Sequence, residues 1–330
     1  MTDHPADTSA QRRQAMLVTA FCPVVRAALQ RDTTLEVMAN PDGSVWIEEA
    51  GRGVIQTGHV LSEGDRERVI RLIASGLGGQ GSPKSAIVSA ELPGTGERFE
   101  GILPPVSAAP CYSIRKLART PFTLADYVRQ GALSPALAGH LRALVTERAN
   151  IVITGGTSSG KTSLANALLG EGGFCGERIV LLEDTRELTC PAANLVALRT
   201  QGDSVTLRDL VRSTLRLRPD RILVGEVRGA EALDLLKAWN TGHPGGLTTL
   251  HANSASGALR RLEQLAAEAT HEPPRELIGE AIDAVVFMSR TGGTRRVDEV
   301  VRVTGFDGRQ YVTAPLSAPT PTLVRYGDMT

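Results

Sequence analysis

The sequence predicts an α/β protein in two parts, a smaller α+β domain followed by a larger domain built on a parallel sheet. Three observations carry this. After about residue 149, short apolar runs alternate with helix-like runs, the pattern that threads a parallel sheet. Before residue 118, the apolar runs are short, separated by turn signals, and interrupted by only two helical stretches. Between Ile151-Val152-Ile153 and the helix-like run Ser163 to Leu169 stands G-G-T-S-S-G-K-T, Gly155 to Thr162. At 330 residues the chain has room for about two domains. Aromatic residues are only 4% of it, so Leu, Val, Ile and Ala must fill the cores.

Residues 1–14 are polar and expected to be disordered. Ala15 to Cys22, behind Arg12-Arg13, has the outline of a signal sequence, but it falls far short of the ~20 residues of a spanning helix. Pro23 follows it, and no cleavage-site pattern is present. A short amphipathic helix reaching about Arg31 is expected, packed on its own domain or touching a membrane surface. The domain of residues 15–118 continues with strands at Leu35–Met38, Val45–Glu48 and Gly53–Gln56, the first two joined by the turn cluster Asn40-Pro41-Asp42-Gly43. A helix opens at Ser62, runs through Val69, Ile70, Leu72 and Ile73, and ends at Gly76. Ser85–Leu92 and Glu97–Leu103 form a second hairpin, and Tyr112–Arg115 closes an antiparallel sheet.

Pro121 marks the joint to a helical connector, residues 119–148, carried by Leu124, Tyr127, Val128, Leu133 and Ala136 to Leu144. Residues 149–330 form the parallel-sheet domain. Its strands are Ile151–Thr154, Ile179–Leu182, Leu195–Leu198, Ile222–Val224, Gly246–Leu250 and Ala284–Met288. A last hairpin uses Gly292-Gly293, Val300–Val303 and Tyr311–Val312, and Ser317 to Thr322 is expected to be loose.

The spacing G-x-x-x-x-G-K-T between strand and helix suits a loop whose backbone N–H groups curl around phosphate oxygens. Gly155, Gly156, Thr157, Ser158, Ser159 and Gly160 would form the curl. Lys161 would reach the β/γ-phosphates and Thr162 would ligate Mg²⁺, with the helix N-terminus adding partial positive charge. Carboxylates must come from elsewhere, and ligands of open α/β sheets bind at the C-terminal ends of strands. Glu183-Asp184 stands at one such end, after Leu181-Leu182. Gly225-Glu226 stands at another, after Ile222-Leu223-Val224, with Glu226 where an Asp is usual. A carboxylate there can hold Mg²⁺ or take a proton from an attacking water. A third strand, Leu247 to Leu250, ends at His251, whose imidazole can sense a γ-phosphate; His243 is a weaker candidate of the same kind. Arg208, Arg212 and Arg216 recur every fourth residue on one helix face, which suits either a solvated face or a subunit interface. Arg98 and Arg115 flank Pro104-Pro105 and could reach a nucleotide.

A formal net charge of zero, with two Trp, four Tyr and six Phe, argues against stacking platforms or a basic channel, so no direct nucleic-acid binding is expected. Cys22, Cys111, Cys175 and Cys190 are scattered without a C-x-x-C pair, so no zinc site is expected, and a phosphate-binding loop implies cytosolic ATP and hence reduced thiols.

Taken in order, the glycine loop, Leu182-Glu-Asp-Thr-Arg-Glu-Leu188, Arg218-Pro-Asp-Arg-Ile-Leu-Val-Gly-Glu-Val-Arg-Gly229, Ala238-Trp-Asn-Thr-Gly-His-Pro-Gly-Gly246 and Thr248-Thr-Leu-His-Ala-Asn253 resemble the secretion (traffic) ATPase superfamily. With Asn40 to Glu48 added, the set is most similar to its TrbB-type conjugal transfer ATPases of type IV secretion systems, over nearly the whole chain. The resemblance implies a RecA-like P-loop NTPase domain behind a smaller N-terminal domain, and an enzyme that hydrolyses ATP with Mg²⁺. It implies a homohexameric ring at the cytoplasmic face of the inner membrane, working with other secretion components in conjugative transfer and pilus assembly. By position it makes Lys161 and Thr162 phosphate and Mg²⁺ ligands, Glu183 the residue that polarises water, Glu226 the Walker B carboxylate and His251 the His-box residue. Arg98 and Arg115 match first-domain arginines that contact terminal phosphates. The alternatives are a type IV pilus or type II secretion extension or retraction ATPase, whose extension branch usually carries a four-cysteine zinc insert missing here, and a nucleic-acid-handling RecA-like ATPase.

Overall fold

The computed structural model describes residues 16–76, 86–116 and 122–316, apart from 18, 173, 175, 203, 292 and 293. The expectations for residues 1–14, Cys175, Gly292-Gly293 and Ser317–Thr322 lie outside these. The chain divides into two compact units, Met1–Thr120 and Pro121–Thr330.

The first unit contains helix α1 (Pro23–Gln30), strands β1 (Thr34–Ala39), β2 (Ser44–Glu49) and β3 (Gly53–Val60), helix α2 (Glu63–Gly76), and strands β4 (Ile87–Glu91), β5 (Arg98–Ile102) and β6 (Cys111–Arg115). Its sheet runs β3-β2-β1-β6-β5-β4, and every pairing is antiparallel, as the sequence predicts. The Asn40–Gly43 cluster makes the β1–β2 turn, where Asp42 accepts from the Ser44 N–H at 2.9 Å and the Ser44 hydroxyl at 2.6 Å. The first helix departs from expectation. Met16, Leu17, Thr19 and Ala20 are helical, but Cys22 is extended (φ −63°, ψ 160°) and caps a new helix beginning at Pro23. A residue before proline is driven out of the helical region, which explains the break. Leu17, Phe21, Val25 and Ala28 are buried in this unit's own core.

The second unit begins with α3 (Leu124–Arg129) and α4 (Pro135–Thr146), then β7 (Ile151–Gly155), α5 (Lys161–Gly170), β8 (Arg178–Glu183), β9 (Asn194–Arg199) and α6 (Leu207–Thr214). It continues with β10 (Arg221–Glu226), α7 (Glu231–Asn240), β11 (Leu247–Leu250), α8 (Ala255–Ala267), α9 (Arg275–Ala281), β12 (Ala284–Thr291), β13 (Thr294–Phe306) and β14 (Tyr311–Pro315). The sheet order is β14-β13-β12-β7-β11-β10-β8-β9. From β12 to β9 all neighbours are parallel, and β13 and β14 add an antiparallel edge.

Alternation along buried strands sends successive side chains to opposite faces. Ile151, Ile153, Ile179, Leu181 and Leu223 pack with α3, α4 and α5. Val152, Val180, Leu182, Ile222 and Val224 pack with α6 to α9. The segment expected as a connector therefore lies within one of the unit's two cores, with Leu141 and Leu144 fully buried. The A-W-N-T-G-H-P-G-G string is explained by close packing. Trp239 donates its indole N–H to the Ile222 carbonyl at 3.0 Å, and a Cβ on Gly246 would lie 2.1 Å from that ring. Arg221, only 2% exposed, forms a two-pronged pair with Glu177 and donates to the Val145 carbonyl at 2.9 Å. Arg208 and Arg212 both clasp Asp234 of α7, at 2.7 and 3.1 Å, and so join α6 to α7, whereas α6 ends at Thr214 and Arg216 lies beyond it, off the helix face expected for it.

Candidate active site

Strand β7 ends at Gly155, where a Cβ would lie 2.3 Å from the Met288 carbonyl oxygen of β12, so only glycine fits. The loop then bends through Ser158 (φ +58°) and Gly160 (φ +98°), both left-handed. Gly156 and Thr157 are exposed at the tip and Ser159 is buried. Gly160 starts α5 without any side-chain cap, so the first N–H groups of that helix face outward as an anion-binding end. Lys161 is buried and folds back across the loop, donating to the carbonyls of Gly155 and Gly156 at 3.0 Å each.

Three parallel strands bring the other predicted residues beside it. Glu183 ends β8 almost fully buried, and one carboxylate oxygen accepts N–H bonds from Glu187 at 2.9 Å and Leu188 at 2.8 Å. Burial raises its pKa above the ordinary carboxylate value, and the two N–H bonds only partly oppose this. A Cβ on Gly225 of β10 would come within 3.2 Å of the Glu183 side chain, which is why glycine precedes Glu226. Glu226 binds Arg228 at 2.7 Å and His251 Nε2 at 3.1 Å. Burial pushes the Glu226 carboxyl up, but Arg228, His251 and Lys161 together outweigh it and hold the pKa below the usual value. His251, just past β11, lies with Nδ1 3.3 Å from Lys161 Nζ. Burial first, then the Lys161 charge, keep this imidazole below its ordinary pKa despite Glu226. A neutral ring, with Nδ1 accepting from Lys161 and Nε2–H donating to Glu226, satisfies both contacts.

The Thr162 hydroxyl donates to Glu187 at 2.9 Å, so its observed partner is Glu187 and not Glu226. Arg98 and Arg115 belong to the first unit, where they stand opposite one another across β5 and β6. His243 meets the Pro219 carbonyl at 2.9 Å, a structural contact.

Four contributors were missed in the sequence. Glu187 lies in the same acidic string as Glu183, and its spacing of four residues was the available clue. Asn166 braces that string, donating to the Glu187 carbonyl at 3.0 Å and accepting from the Thr189 N–H at 2.7 Å. Arg228 links Glu226 to Asp184, the latter at 3.7 Å. Arg295 of β13 donates to the Ser158 carbonyl at 3.1 Å and carries no motif signal.

A strand–glycine loop–helix flanked by carboxylates on neighbouring parallel strand tips defines a P-loop nucleoside triphosphatase on a RecA-like sheet. The family described as Type II/IV secretion system protein matches residues 82–291. The conjugal transfer protein TrbB of Rhizobium radiobacter is 48% identical over 288 residues, covering 87% of this chain and 88% of that protein. The probable conjugal transfer protein TrbB of Sinorhizobium fredii is 49% identical over 286 residues, with coverage of 86% and 87%. The X-ray structure of the Legionella pneumophila ATPase DotB shares the fold, with a TM-score of 0.58 and 22% identity over 84% of this chain and 80% of that one. The chain belongs to the type II/IV secretion system protein family.

Proposed function

We propose that this chain is an ATP-hydrolysing secretion ATPase, the motor of a conjugative type IV secretion machine, acting as a homohexamer with Mg²⁺ and meeting its partner components at the cytoplasmic face of the inner membrane. Identity of nearly half to two conjugal transfer proteins, over most of each chain, supports the conjugative assignment. Among the described residues no helix is long and apolar enough to cross a membrane, so attachment would be peripheral.

The observation that carries the chemistry is the chain Lys161–His251–Glu226 laid against the phosphate loop. The loop's residues fit a triphosphate. Gly155 lets the loop start tight against β12 where a Cβ would collide with the Met288 carbonyl, α5 opens without a cap, and the Ser159 hydroxyl oxygen is buried without a hydrogen-bond partner. The Thr162 hydroxyl and the nearby carboxylates are the hard oxygen donors that Mg²⁺ prefers. Among the described residues no cluster of His, Cys, Asp or Glu could hold a metal ion alone; a Mg²⁺ shared with phosphates and water needs none. When bound, the ion would neutralise charge on the β/γ-phosphate oxygens.

In this reading Lys161 exchanges its carbonyl and imidazole contacts for phosphate oxygens. Glu183, kept basic enough by burial to accept a proton, orients and polarises water. Glu226 and Thr162 serve the metal. His251 couples Lys161 to Glu226, so that movement of Lys161 toward phosphate is felt at the β10 tip. For Arg98 and Arg115, the family resemblance alone supports a role toward the terminal phosphates.

The test is Mg²⁺-dependent ATP hydrolysis by the purified chain, with its native mass measured with and without nucleotide. Turnover by a sixfold particle, abolished in a folded Lys161→Ala variant, is expected. Undiminished hydrolysis by that variant, or a monomer under every condition, would overturn the reading.

A further inference from the structure

The phosphate loop is also gripped from outside by a residue that belongs to none of the motifs. Arg295 stands near the start of β13, whose partner β12 is the parallel neighbour of the loop's own strand β7. Its Nε donates to the Ser158 carbonyl at 3.1 Å. Its Cδ packs against Gly160 so closely that an added Cβ there would sit 3.1 Å away. Ser158 holds a left-handed φ of +58°, which costs a non-glycine residue about 1 kcal/mol and must be held by its surroundings. The next N–H, that of Ser159, donates back to the Gly156 carbonyl at 3.3 Å. The Ser158–Ser159 peptide is therefore fixed at both of its polar ends. A carbonyl turned outward onto a guanidinium leaves the inner side of the curl to N–H groups, the arrangement that anion-binding nests require.

The strand has a second hold on the site. A β-bulge leaves Asp298 unpaired, because Phe287 faces Glu299 while Met288 faces Val297. Val297 and Val300 enter the core on the α5 side, whereas Val301 and Val303 enter the core on the α8 side. Bulges of this kind re-aim side chains. Past the bulge, Glu299 accepts the Ala255 N–H at 3.1 Å, at the start of α8 and shortly after His251. One strand thus touches the phosphate loop through Arg295 and the segment after His251 through Glu299.

We propose that Arg295 is a positioning residue for the nucleotide, setting the phosphate loop in the shape whose N–H groups receive phosphate and placing a fixed positive charge on the loop's outer side. The inference rests on the reading of this loop as a nucleotide site.

It is tested with the full chain by measuring binding of ADP with Mg²⁺, steady-state ATP hydrolysis and melting without nucleotide, for wild type, Arg295→Met and Arg295→Lys. The methionine keeps the packing against Gly160 and removes the donor and charge. Loss of a hydrogen bond from a charged donor predicts that Arg295→Met binds MgADP about tenfold more weakly or worse. Its KM for ATP should rise by a similar factor while kcat changes less than about threefold. Its melting temperature without nucleotide should fall by only the few degrees that one lost loop hydrogen bond is worth, and Arg295→Lys should recover part of the affinity. Wild-type affinity in Arg295→Met would overturn the proposal. So would a drop in nucleotide-free melting of both variants with kcat falling in proportion, since that marks a purely structural contact. Failure of the wild-type chain to bind MgADP would instead sink the nucleotide reading itself, and is read independently of either variant.

Discussion

Thr162 and Glu187 are joined by a 2.9 Å hydrogen bond from hydroxyl to carboxylate, and the Glu187 backbone N–H in turn donates to Glu183 at 2.9 Å. One residue therefore ties the loop's hydroxyl to the buried carboxylate of the next strand. Glu187→Ala should leave ATP affinity largely intact and raise the Mg²⁺ concentration for half-maximal hydrolysis by about tenfold, the effect usual for an outer-shell partner. A Mg²⁺ titration of the hydrolysis rate checks this, and an unchanged midpoint would remove Glu187 from the metal's surroundings.

Glu183 accepts two backbone N–H bonds while buried, so its two simplest variants should separate. Glu183→Gln keeps an oxygen to accept both and loses only the basic carboxylate. It should stay folded and bind ATP while hydrolysing it on the order of a hundredfold more slowly. Glu183→Ala strands both N–H groups and should cost about 2 kcal/mol of stability or more. Urea unfolding and single-turnover hydrolysis distinguish the two; a Gln variant with normal turnover would assign the proton acceptor elsewhere.

The acid response of the site has a fixed sign. His251 is held below its ordinary value of 6.5 when folded. A depressed group binds fewer protons folded than unfolded, so its contribution is complete above about 6.5 and is lost as pH falls toward the folded value. Glu226 is also depressed from 4.5, and its share is lost only further down. Acidification from neutral pH should therefore lower the melting temperature through His251 first. Melting curves of wild type and His251→Gln between pH 7.5 and 5.5 should converge as pH falls. A gap that widens on acidification would contradict the assignment.

Buried Arg221, at the start of β10, pairs with half-buried Glu177, with side-chain exposures of 2% and 18%, and Arg148 meets the same carboxylate at 3.3 Å. Removing one partner leaves an uncompensated charge, so Glu177→Ala should destabilise the chain by about 3 kcal/mol. Chemical denaturation measures the loss. The double variant Glu177→Ala with Arg221→Met should recover much of it.

The site was legible in the sequence wherever its chemistry is local. The loop needs glycines at fixed spacing, and buried strands must end in polar residues at the ligand edge, so Lys161, Glu183, Glu226 and His251 announced themselves. Glu187 was hidden because a string of alternating acids and bases does not reveal which side chain turns inward. Arg295 was hidden because its contact with Ser158 spans most of the second unit. The helix break before Pro23 follows from a rule visible in the sequence, and was overlooked because the apolar run continues across it. The burial of Leu141 and Leu144 depends on tertiary packing that periodicity alone leaves open.

Strand β7, which delivers the phosphate loop, is flanked by β11 and β12, both made much later in the chain. A ribosome that has released β7 and α5 has supplied every motif residue of the loop but neither wall that shapes it. Closing such distant pairings is slow and entropically costly. The emerging chain gains one wall with Leu247–Leu250 and the other only with Ala284 and its hairpin, so the loop is flanked on both sides last of all.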